Sequence, residues 1–162
     1  LLQAGRDGLS VLTIELPDEA ATLALGATLA AIMRPGLKLF LAGDLGSGKT
    51  TLVRGILRAL GSKERVKSPT YTLVEPHAAS GLHFYHFDFY RFDDPREFEH
   101  SGLSEHFGTD AVCLVEWPER AGPALPTPDV RISLEIPNDG GRVAHLDACS
   151  PRGKAWLNAA LG

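Results

Sequence analysis

The sequence predicts a single α/β domain with three layers, in which helices cover both faces of a mixed, mainly parallel central sheet. Three observations point to this fold class. The 162 residues suit one domain spanning the whole chain. Helix and strand patterns alternate along the first half, and strands dominate the second half. Apolar residues make up 44% of the chain and charged residues 22%, an ordinary balance for a globular protein.

The first half alternates strands with amphipathic helices. A short strand is predicted at 11–14, followed by a helix that Asp18 caps and that continues to Pro35-Gly36. A mostly apolar strand over 37–42 comes next. A second helix then ends at Gly61. The apolar residues on one face of this helix are Leu52, Val53, Ile56, Leu57 and Leu60.

The second half is expected to contain shorter elements. Its predicted strands are 71–74, 82–87, 111–115, 130–136 and 142–148, with short helices near 95–107 and 151–160 and a proline-rich segment over 118–128. Cys113 lies in the most apolar strand and is expected to be a buried free thiol, which favours a reducing compartment. No segment is long and apolar enough to cross a membrane, so we expect a cytoplasmic protein.

The net charge of −4 provides no overall basic field for nucleic acid. A small basic cluster does occur at Lys63, Arg65 and Lys67, within a polar segment that reads as a loop. A solvated loop is favoured over a nucleic-acid contact for this cluster.

A glycine-rich loop between the strand at 37–42 and the second helix carries the strongest motif. Gly43, Gly48, Lys49 and Thr50 fill all the fixed positions of the pattern G-x-x-x-x-G-K-[ST]. In this arrangement, backbone amides face phosphate groups, the lysine reaches the β- and γ-phosphates, and the threonine hydroxyl binds Mg²⁺. The sequence therefore predicts a P-loop NTPase-like domain that binds a nucleoside triphosphate with Mg²⁺.

The residues expected to contact the nucleotide are Asp44, Leu45, Gly46, Ser47, Gly48, Lys49, Thr50 and Thr51. Asp44 is unusual among them, because a carboxylate near the phosphates repels the ligand unless Mg²⁺ or water intervenes. Asp44 is therefore a candidate for orienting the attacking water, and capping of loop amides is an equal alternative. Ser47 is expected to be a small residue where space is limited.

Two carboxylates compete for the Mg²⁺ site. Enzymes with this loop usually place an acid at the end of a neighbouring strand. Asp88 ends the strand at 82–87, and Glu116 ends the more apolar strand at 111–115. The pattern favours Glu116 beside the metal and Asp88 as the group that orients water, but the reverse assignment is almost equally supported.

The segment Ser68-Pro69-Thr70-Tyr71-Thr72 lies between the second helix and the Asp88 strand. Many nucleotide switches hold a segment here that senses the γ-phosphate, so Thr70 or Thr72 could reach Mg²⁺. An ordinary turn entering a strand is an equal alternative. His83 and His86 face opposite sides of their strand and form a poor metal pair, so packing is favoured for both.

Four ordered blocks resemble the TsaE family, a group of bacterial ATPases of tRNA threonylcarbamoyladenosine synthesis. The blocks are the extended loop at 43–55, Ser68-Pro69-Thr70-Tyr71-Thr72-Leu73-Val74, His86-Phe87-Asp88-Phe89-Tyr90-Arg91 and Val115-Glu116-Trp117-Pro118-Glu119. The match runs from about residue 15 to about residue 135. Phe89 departs from the family pattern, which has leucine there.

This resemblance implies weak Mg²⁺-dependent ATP hydrolysis by a chain that is monomeric when alone. It implies that Lys49 and Thr50 hold phosphate and Mg²⁺, that Thr70 belongs to a switch, that Asp88 is the essential acid and that Glu116 helps with the metal. It also implies docking onto the TsaB–TsaD pair, with tRNA contacted indirectly or weakly.

Other functions of the same fold are less well supported. A small-molecule kinase is the main alternative, but the arginine-rich lid typical of kinases has no counterpart after the second helix. A GTPase would need a guanine-reading motif of the N-K-x-D type, and no such string occurs. A nucleotide-dependent binding module without hydrolysis stays open, since slow and absent hydrolysis leave the same sequence pattern.

Overall fold

The computed structural model describes residues 2–4 and 10–161. Within them, the strands are β1 Leu2–Ala4, β2 Ser10–Leu16, β3 Lys38–Gly43, β4 Val74–Ala79, β5 Leu82–Asp88, β6 Val112–Glu116, β7 Val130–Glu135 and β8 Arg142–Ala148. The α-helices are α1 Glu19–Ala30, α2 Lys49–Ala59, α3 Arg96–Ser101 and α4 Pro151–Leu161. No helix of these residues is both long and apolar enough to span a membrane.

All the described strands form one eight-stranded sheet in the order β1-β2-β8-β7-β3-β6-β5-β4. The neighbours β7, β3, β6 and β5 are parallel. The pairings at both edges are antiparallel. The expected mixed sheet is confirmed, but it is less parallel than expected, since three pairings of the described strands are parallel and four are antiparallel. The β4–β5 and β7–β8 pairings are antiparallel because a short loop joins each pair, and short loops cannot make parallel crossovers.

Parallel pairing brings the candidate residues to one edge of the sheet. Asp88 at the end of β5 pairs with Glu116 at the end of β6. Glu116 in turn pairs with Leu41 of β3, just before the glycine-rich loop. In open α/β sheets, ligands bind outside the carboxyl ends of the strands. The fold therefore places the glycine-rich loop, Asp88 and Glu116 at the edge of the sheet where a ligand is expected.

The sheet carries a separate apolar cluster on each face. Leu39 and Leu41 pack with α1, α2 and α4, whereas Phe40 packs with the phenylalanines of the other face. Successive side chains of a strand point to opposite faces, so the apolar strand β3 contributes side chains to both clusters. Phe98 of α3 and Phe107 of a following 3₁₀ helix cover the second face. Helices on both faces confirm the expected layering.

Helices α1 and α2 cross with unusually close backbones. A Cβ atom at Gly55 would lie 2.7 Å from the Leu23 carbonyl oxygen, and one at Gly26 would lie 2.8 Å from the Leu52 carbonyl oxygen. Either distance is shorter than a van der Waals contact, so the crossing requires glycine at both positions. The crossing packs α1 against the helix that begins at the glycine-rich loop.

Three predicted boundaries were wrong or incomplete. The first helix ends at Ala30, several residues before Pro35, because the chain turns where Met33 N–H donates to the Ala30 carbonyl (3.2 Å). Residues 71–73 form a turn and not a strand, since Leu73 has a positive φ of 69°. Strand β1 was not predicted. The Asp18 cap is confirmed, with its carboxylate accepting from Ala21 N–H at 2.8 Å.

Asp129, just before β7, anchors the C-terminal helix. It accepts hydrogen bonds from the Lys38 amide (2.9 Å), the Ser150 hydroxyl (2.7 Å) and Arg152 Nη2 (2.9 Å). Burial alone would raise the pKa of Asp129, but these hydrogen bonds outweigh burial and hold the pKa below its usual range. The last helix is therefore tied to the strand β3 that leads into the glycine-rich loop.

Candidate functional site

The loop between β3 and α2 is shaped by glycine. Gly43 has φ 146° and Gly48 has φ 106°, values that favour glycine. A Cβ atom at position 43 would also lie 2.6 Å from the Leu134 carbonyl oxygen of β7. Helix α2 begins at Lys49, so its unpaired N-terminal amides are directed at the loop. An anion held in the loop would meet these amides.

Lys49 folds back across this loop. Its Nζ donates to the carbonyl oxygens of Gly43 (2.5 Å) and Asp44 (2.9 Å), and the side chain is buried. The same ammonium lies 4.3 Å from the ring centroid of Trp117, which is within the range of cation–π attraction. A positive charge is therefore held over the site where the loop would receive an anion.

Two opposing effects act on the charge of Lys49. Burial lowers the pKa of the ammonium, because removal from water disfavours the charged form. Nearby carboxylates act in the opposite direction, in the order Glu116, Glu119, Asp88 and Asp44. The net pKa stays below the usual lysine range. The site is thus a compact set of opposite charges in a partly desolvated region.

Thr50 and Glu116 are in direct contact. The Thr50 hydroxyl lies 2.9 Å from Oε1 of Glu116 and 3.0 Å from Oε2. Glu116 is buried at the end of β6, with 3% of its surface exposed. A hydroxyl that donates its proton to a carboxylate keeps its oxygen lone pairs free for a cation.

Asp88 contacts the Ser68–Thr72 segment instead. Its Oδ2 accepts hydrogen bonds from the hydroxyls of Ser68 and, at 3.3 Å, Thr70. Its Oδ1 accepts the Tyr90 amide at 2.9 Å. Within the described residues no hydrogen bond joins Asp88 to Thr50. The two acids are neighbours in the sheet with different partners, Glu116 facing the loop helix and Asp88 facing the segment.

The remaining predicted loop residues differ in exposure. Asp44 and Leu45 are exposed, and Ser47 is fully buried beside Lys49 Nζ at 3.4 Å. The Ser47 amide donates to the backbone carbonyl of Asp44 at 3.1 Å. In the part of the chain that the structure describes, the Asp44 carboxylate itself caps no loop amide. Gly46 is open to solvent and Thr51 is half-buried in the first turn of α2.

A cleft of about 250 Å³ continues from the loop. Its walls are the loop and α2 (Gly46, Ser47, Gly48, Thr51), the start of α1 (Leu16, Pro17, Asp18, Glu19, Thr22) and the β7–β8 hairpin (Gly141, Arg142). Arg142 Nη2 donates to the Gly46 carbonyl at 2.9 Å and so joins the hairpin to the loop. Sequence reasoning missed the α1 and hairpin walls, because no local motif marks them.

His86 and Trp117 also contact residues of the candidate site, although packing was the favoured expectation for His86. His86 is fully buried, and its Nε2 lies 2.5 Å from Oε2 of Glu116. Trp117 has the left-handed backbone angles φ 56° and ψ 49°, and its ring covers Lys49. A positive φ is rare for a bulky residue and is often found at functional sites.

Segment 61–73 has the solvated character expected of a loop. Lys63, Arg65 and Lys67 are all exposed. Arg54 of α2 holds the segment by donating to the Val66 carbonyl at 3.1 Å. Tyr71 is 83% exposed, and the Arg91 guanidinium lies 4.5 Å from its ring centroid.

The oxygen atoms at the loop fit a magnesium ion. Mg²⁺ prefers hard oxygen ligands and is usually bound by one or two protein groups together with phosphates and water. Thr50 and Glu116 supply such oxygens, with Asp88 in the adjacent strand. Among the described residues, no group of three His, Cys, Asp or Glu side chains could hold a metal alone. This donor set suits a cation that arrives with a phosphate ligand.

Comparison with known proteins places these features in a family. A family model described as "Threonylcarbamoyl adenosine biosynthesis protein TsaE" matches residues 16–144. The chain belongs to the TsaE family. The matched range contains all four blocks that carried the resemblance, so that prediction is confirmed, and with it the predicted link to tRNA threonylcarbamoyladenosine biosynthesis.

TsaE proteins from distant bacteria align along most of the chain. The tRNA threonylcarbamoyladenosine biosynthesis protein TsaE of Haemophilus influenzae is 42% identical over 153 residues, covering 91% of this chain and 96% of that protein. The protein of the same name from Bacillus subtilis is 40% identical over 136 residues, with 84% of each covered. The crystal structure of Bacillus subtilis YdiB superposes with a TM-score of 0.81 at 30% identity, covering 94% of this chain and 95% of that one.

Proposed function

We propose that this TsaE-family chain binds ATP with Mg²⁺, hydrolyses it slowly, and acts on a TsaB–TsaD pair during threonylcarbamoylation of tRNA adenosine 37. One observation carries the nucleotide part of the proposal. The loop residues Lys49 and Thr50 lie beside two buried acids, Glu116 and Asp88, at the carboxyl ends of adjacent parallel strands. This is the set of groups that phosphoryl transfer requires.

The phosphates would occupy the loop. Their negative charge would draw Lys49 Nζ from the carbonyl oxygens of Gly43 and Asp44, because a charged acceptor forms the stronger hydrogen bond. The Thr50 hydroxyl would present its oxygen to Mg²⁺ while it still donates its hydrogen bond to Glu116. Bound Mg²⁺ supplies neutralisation of the charge that develops on the β- and γ-phosphate oxygens.

Asp88 is the better candidate for the hydrolytic water. Its hydrogen bonds to Ser68 and Thr70 tie it to the segment that would sense the γ-phosphate. Asp44 is exposed within the loop and is a second candidate for orienting water. A change in the γ-phosphate would therefore act on the Asp88–Thr70 contact, and through it on the exposed segment that a partner can reach.

The cleft beside the loop suits the nucleoside. It begins at Gly48 and Thr51, where the phosphate loop enters α2, and extends between α1 and the β7–β8 hairpin. Preference for adenine follows from the family and from the missing guanine motif, and no single cleft residue accounts for it.

Isothermal titration calorimetry with ATP and Mg²⁺ tests the proposal. Lys49→Ala should lower the affinity for ATP about 10- to 150-fold, because hydrogen bonds to charged groups contribute about 1.5–3 kcal/mol and the loop alone compensates the phosphates poorly. Lys63→Ala removes an exposed lysine of the neighbouring loop and should leave the affinity unchanged. Equal ATP affinity of the Lys49→Ala variant and the wild type would reject the assignment.

A further inference from the structure

The carboxylate of Glu116 contacts a buried histidine, His86, as well as Thr50. Oε2 of Glu116 lies 2.5 Å from Nε2 of His86, and both side chains are almost completely buried, at 3% and 0% exposure. An ionised carboxylate only accepts hydrogen bonds, so the imidazole ring supplies the hydrogen. The contacts run in a line from His86 through Glu116 to the Thr50 hydroxyl at the start of α2.

The sheet fixes this line of contacts. His86 pairs with Leu114 and Asp88 pairs with Glu116 across the parallel strands β5 and β6. Residues two apart in a strand share a face, so these four side chains point to the same side of the sheet. Leu114 belongs to the apolar cluster that α2 covers. His86 therefore lies between this core and the acid, where it cannot exchange its partner for bulk water.

The Thr50 hydroxyl alone cannot fix the Glu116 carboxylate. It carries a single proton and lies almost equally far from Oε1 (2.9 Å) and Oε2 (3.0 Å), so it does not select one orientation. The bond from His86 engages Oε2 only. It distinguishes the two oxygens and leaves Oε1 for the loop side of the site.

Packing alone does not account for a histidine here. Nδ1 of His86 is buried and has no hydrogen-bond partner among the described residues. A buried polar atom without a partner destabilises the fold, and an apolar side chain of similar size would avoid this cost. The bond to Glu116 is the feature that an apolar residue could not reproduce.

We propose that His86 is a positioning residue, which fixes the Glu116 carboxylate so that Glu116 and the Thr50 hydroxyl present their oxygens to Mg²⁺ bound with the nucleotide. This inference rests on the proposed function, because it assumes that Mg²⁺ and ATP bind at the loop. Partners of this kind orient metal ligands, and their removal typically lowers metal affinity about 10- to 100-fold.

Calorimetry with ATP, once with excess Mg²⁺ and once with a chelator, measures the gain in ATP affinity that Mg²⁺ provides. His86→Leu replaces the imidazole with an apolar side chain of similar size and removes the Nε2 donor. It should lower this gain about 10-fold or more and leave the metal-free ATP affinity unchanged. A gain equal to that of the wild type would overturn the proposal. This includes the case in which the ATP affinity falls equally with and without Mg²⁺, which would indicate a purely structural role.

Two amide variants provide a matched comparison if His86→Leu does not fold. The amide of His86→Gln reaches the position of Nε2, whereas that of His86→Asn stops near the position of Nδ1. His86→Gln should keep most of the Mg²⁺ gain and His86→Asn should lose it. Equal behaviour of the two would contradict positioning through Nε2. Thermal unfolding of each variant confirms that the protein is folded under the conditions of the titration.

A double variant shows whether His86 acts through Glu116. If it does, the double variant His86→Leu/Glu116→Gln should lose no more of the Mg²⁺ gain than Glu116→Gln alone. Additive losses would overturn the proposal. Absence of ATP binding by the wild type would be a different result, since it would reject the proposed function and the inference together.

Discussion

Asp88 lies between the candidate site and the Ser68–Thr72 segment, which it contacts through its carboxylate. Each of its oxygens is occupied, Oδ2 by the hydroxyls of Ser68 and Thr70 and Oδ1 by the Tyr90 amide. Movement of the segment would therefore change the hydrogen bonds that Asp88 Oδ2 accepts. These contacts support the proposal that a change at the γ-phosphate would reach the exposed segment through Asp88.

Asp88→Asn should keep ATP binding and lose most ATP hydrolysis. An amide has the same shape but lacks the charge and one of the acceptor atoms, while Lys49 and the loop amides are unaltered. Loss of a positioned general acid–base group typically costs about 100- to 10,000-fold in rate. ATP turnover and calorimetric affinity measure the two effects, with the exposed Asp110→Asn as control. Normal turnover of Asp88→Asn would remove this residue from the mechanism.

Cys113 should be unreactive in the folded protein. It is buried in β6, and burial raises the pKa of its thiol from 9.0 to about 11, which lowers the thiolate fraction at neutral pH about 100-fold. Iodoacetamide at pH 8 followed by mass spectrometry measures the modification. Cys113 should react only after unfolding in denaturant, and rapid alkylation of the native protein would contradict its burial.

The sequence predicted those site residues that a local motif marks. Lys49 and Thr50 follow from one loop in its strand and helix context. Glu116 was a candidate as a strand end and through the family resemblance, but its contact with Thr50 joins residues 66 positions apart and could not be predicted. Arg142 lies 96 positions from Gly46, and no pattern near either residue indicates their contact. Such contacts depend on strand order, which local periodicity does not contain.

The α1–α2 crossing depends on glycine. Gly55→Ala should lower the free energy of unfolding by about 1–3 kcal/mol, because its Cβ would lie 2.7 Å from the Leu23 backbone and the helices would have to separate. Gly108→Ala is the matched control, since a Cβ there meets no atom within 4 Å. Urea unfolding measures both variants, and equal stability of the two would contradict close packing at this crossing.

The Asp129 contacts should make the C-terminal helix sensitive to acid. The folded-state pKa is lowered, so its ionisation stabilises the fold above the unfolded pKa of about 3.8, and this contribution is lost as the pH falls through the folded pKa. Asp129→Asn should lower stability at pH 7 by about 1–3 kcal/mol. Urea unfolding at decreasing pH should show the difference from wild type narrowing below pH 3.8, with the exposed Asp139→Asn unchanged. A constant difference would contradict this account.

The turn at 71–73 shows why some element boundaries could not be predicted. Tyr71 and Thr72 favour strands by their side chains. The backbone is fixed instead by hydrogen bonds from Leu73 N–H to the Pro69 carbonyl (2.8 Å) and from Asp88 N–H to the Leu73 carbonyl (3.1 Å). The second bond is long-range and ties the turn to the end of β5, so tertiary contacts override the local preference.

At the scale of the whole molecule, four neighbouring parallel strands carry the candidate site at their carboxyl ends, and antiparallel pairings complete the sheet. The alternation of helices and strands predicted the layers and a mixed sheet. It could not predict that β7 and β8 would lie between β2 and β3, because pairings of distant segments leave no periodic signal. Membership of the TsaE family agrees with this architecture, since Bacillus subtilis YdiB shares it along 95% of its chain.

We propose that this protein is a partner-dependent ATPase. Steady-state ATP hydrolysis with Mg²⁺, measured with and without purified TsaB and TsaD, tests it most directly, and the Lys49→Ala variant gives the background rate. We expect slow turnover by the protein alone and a clear increase when both partners are present, with neither seen in the variant. Turnover that the pair does not stimulate, together with phosphoryl transfer from ATP to a metabolite, would contradict the account and favour a small-molecule kinase.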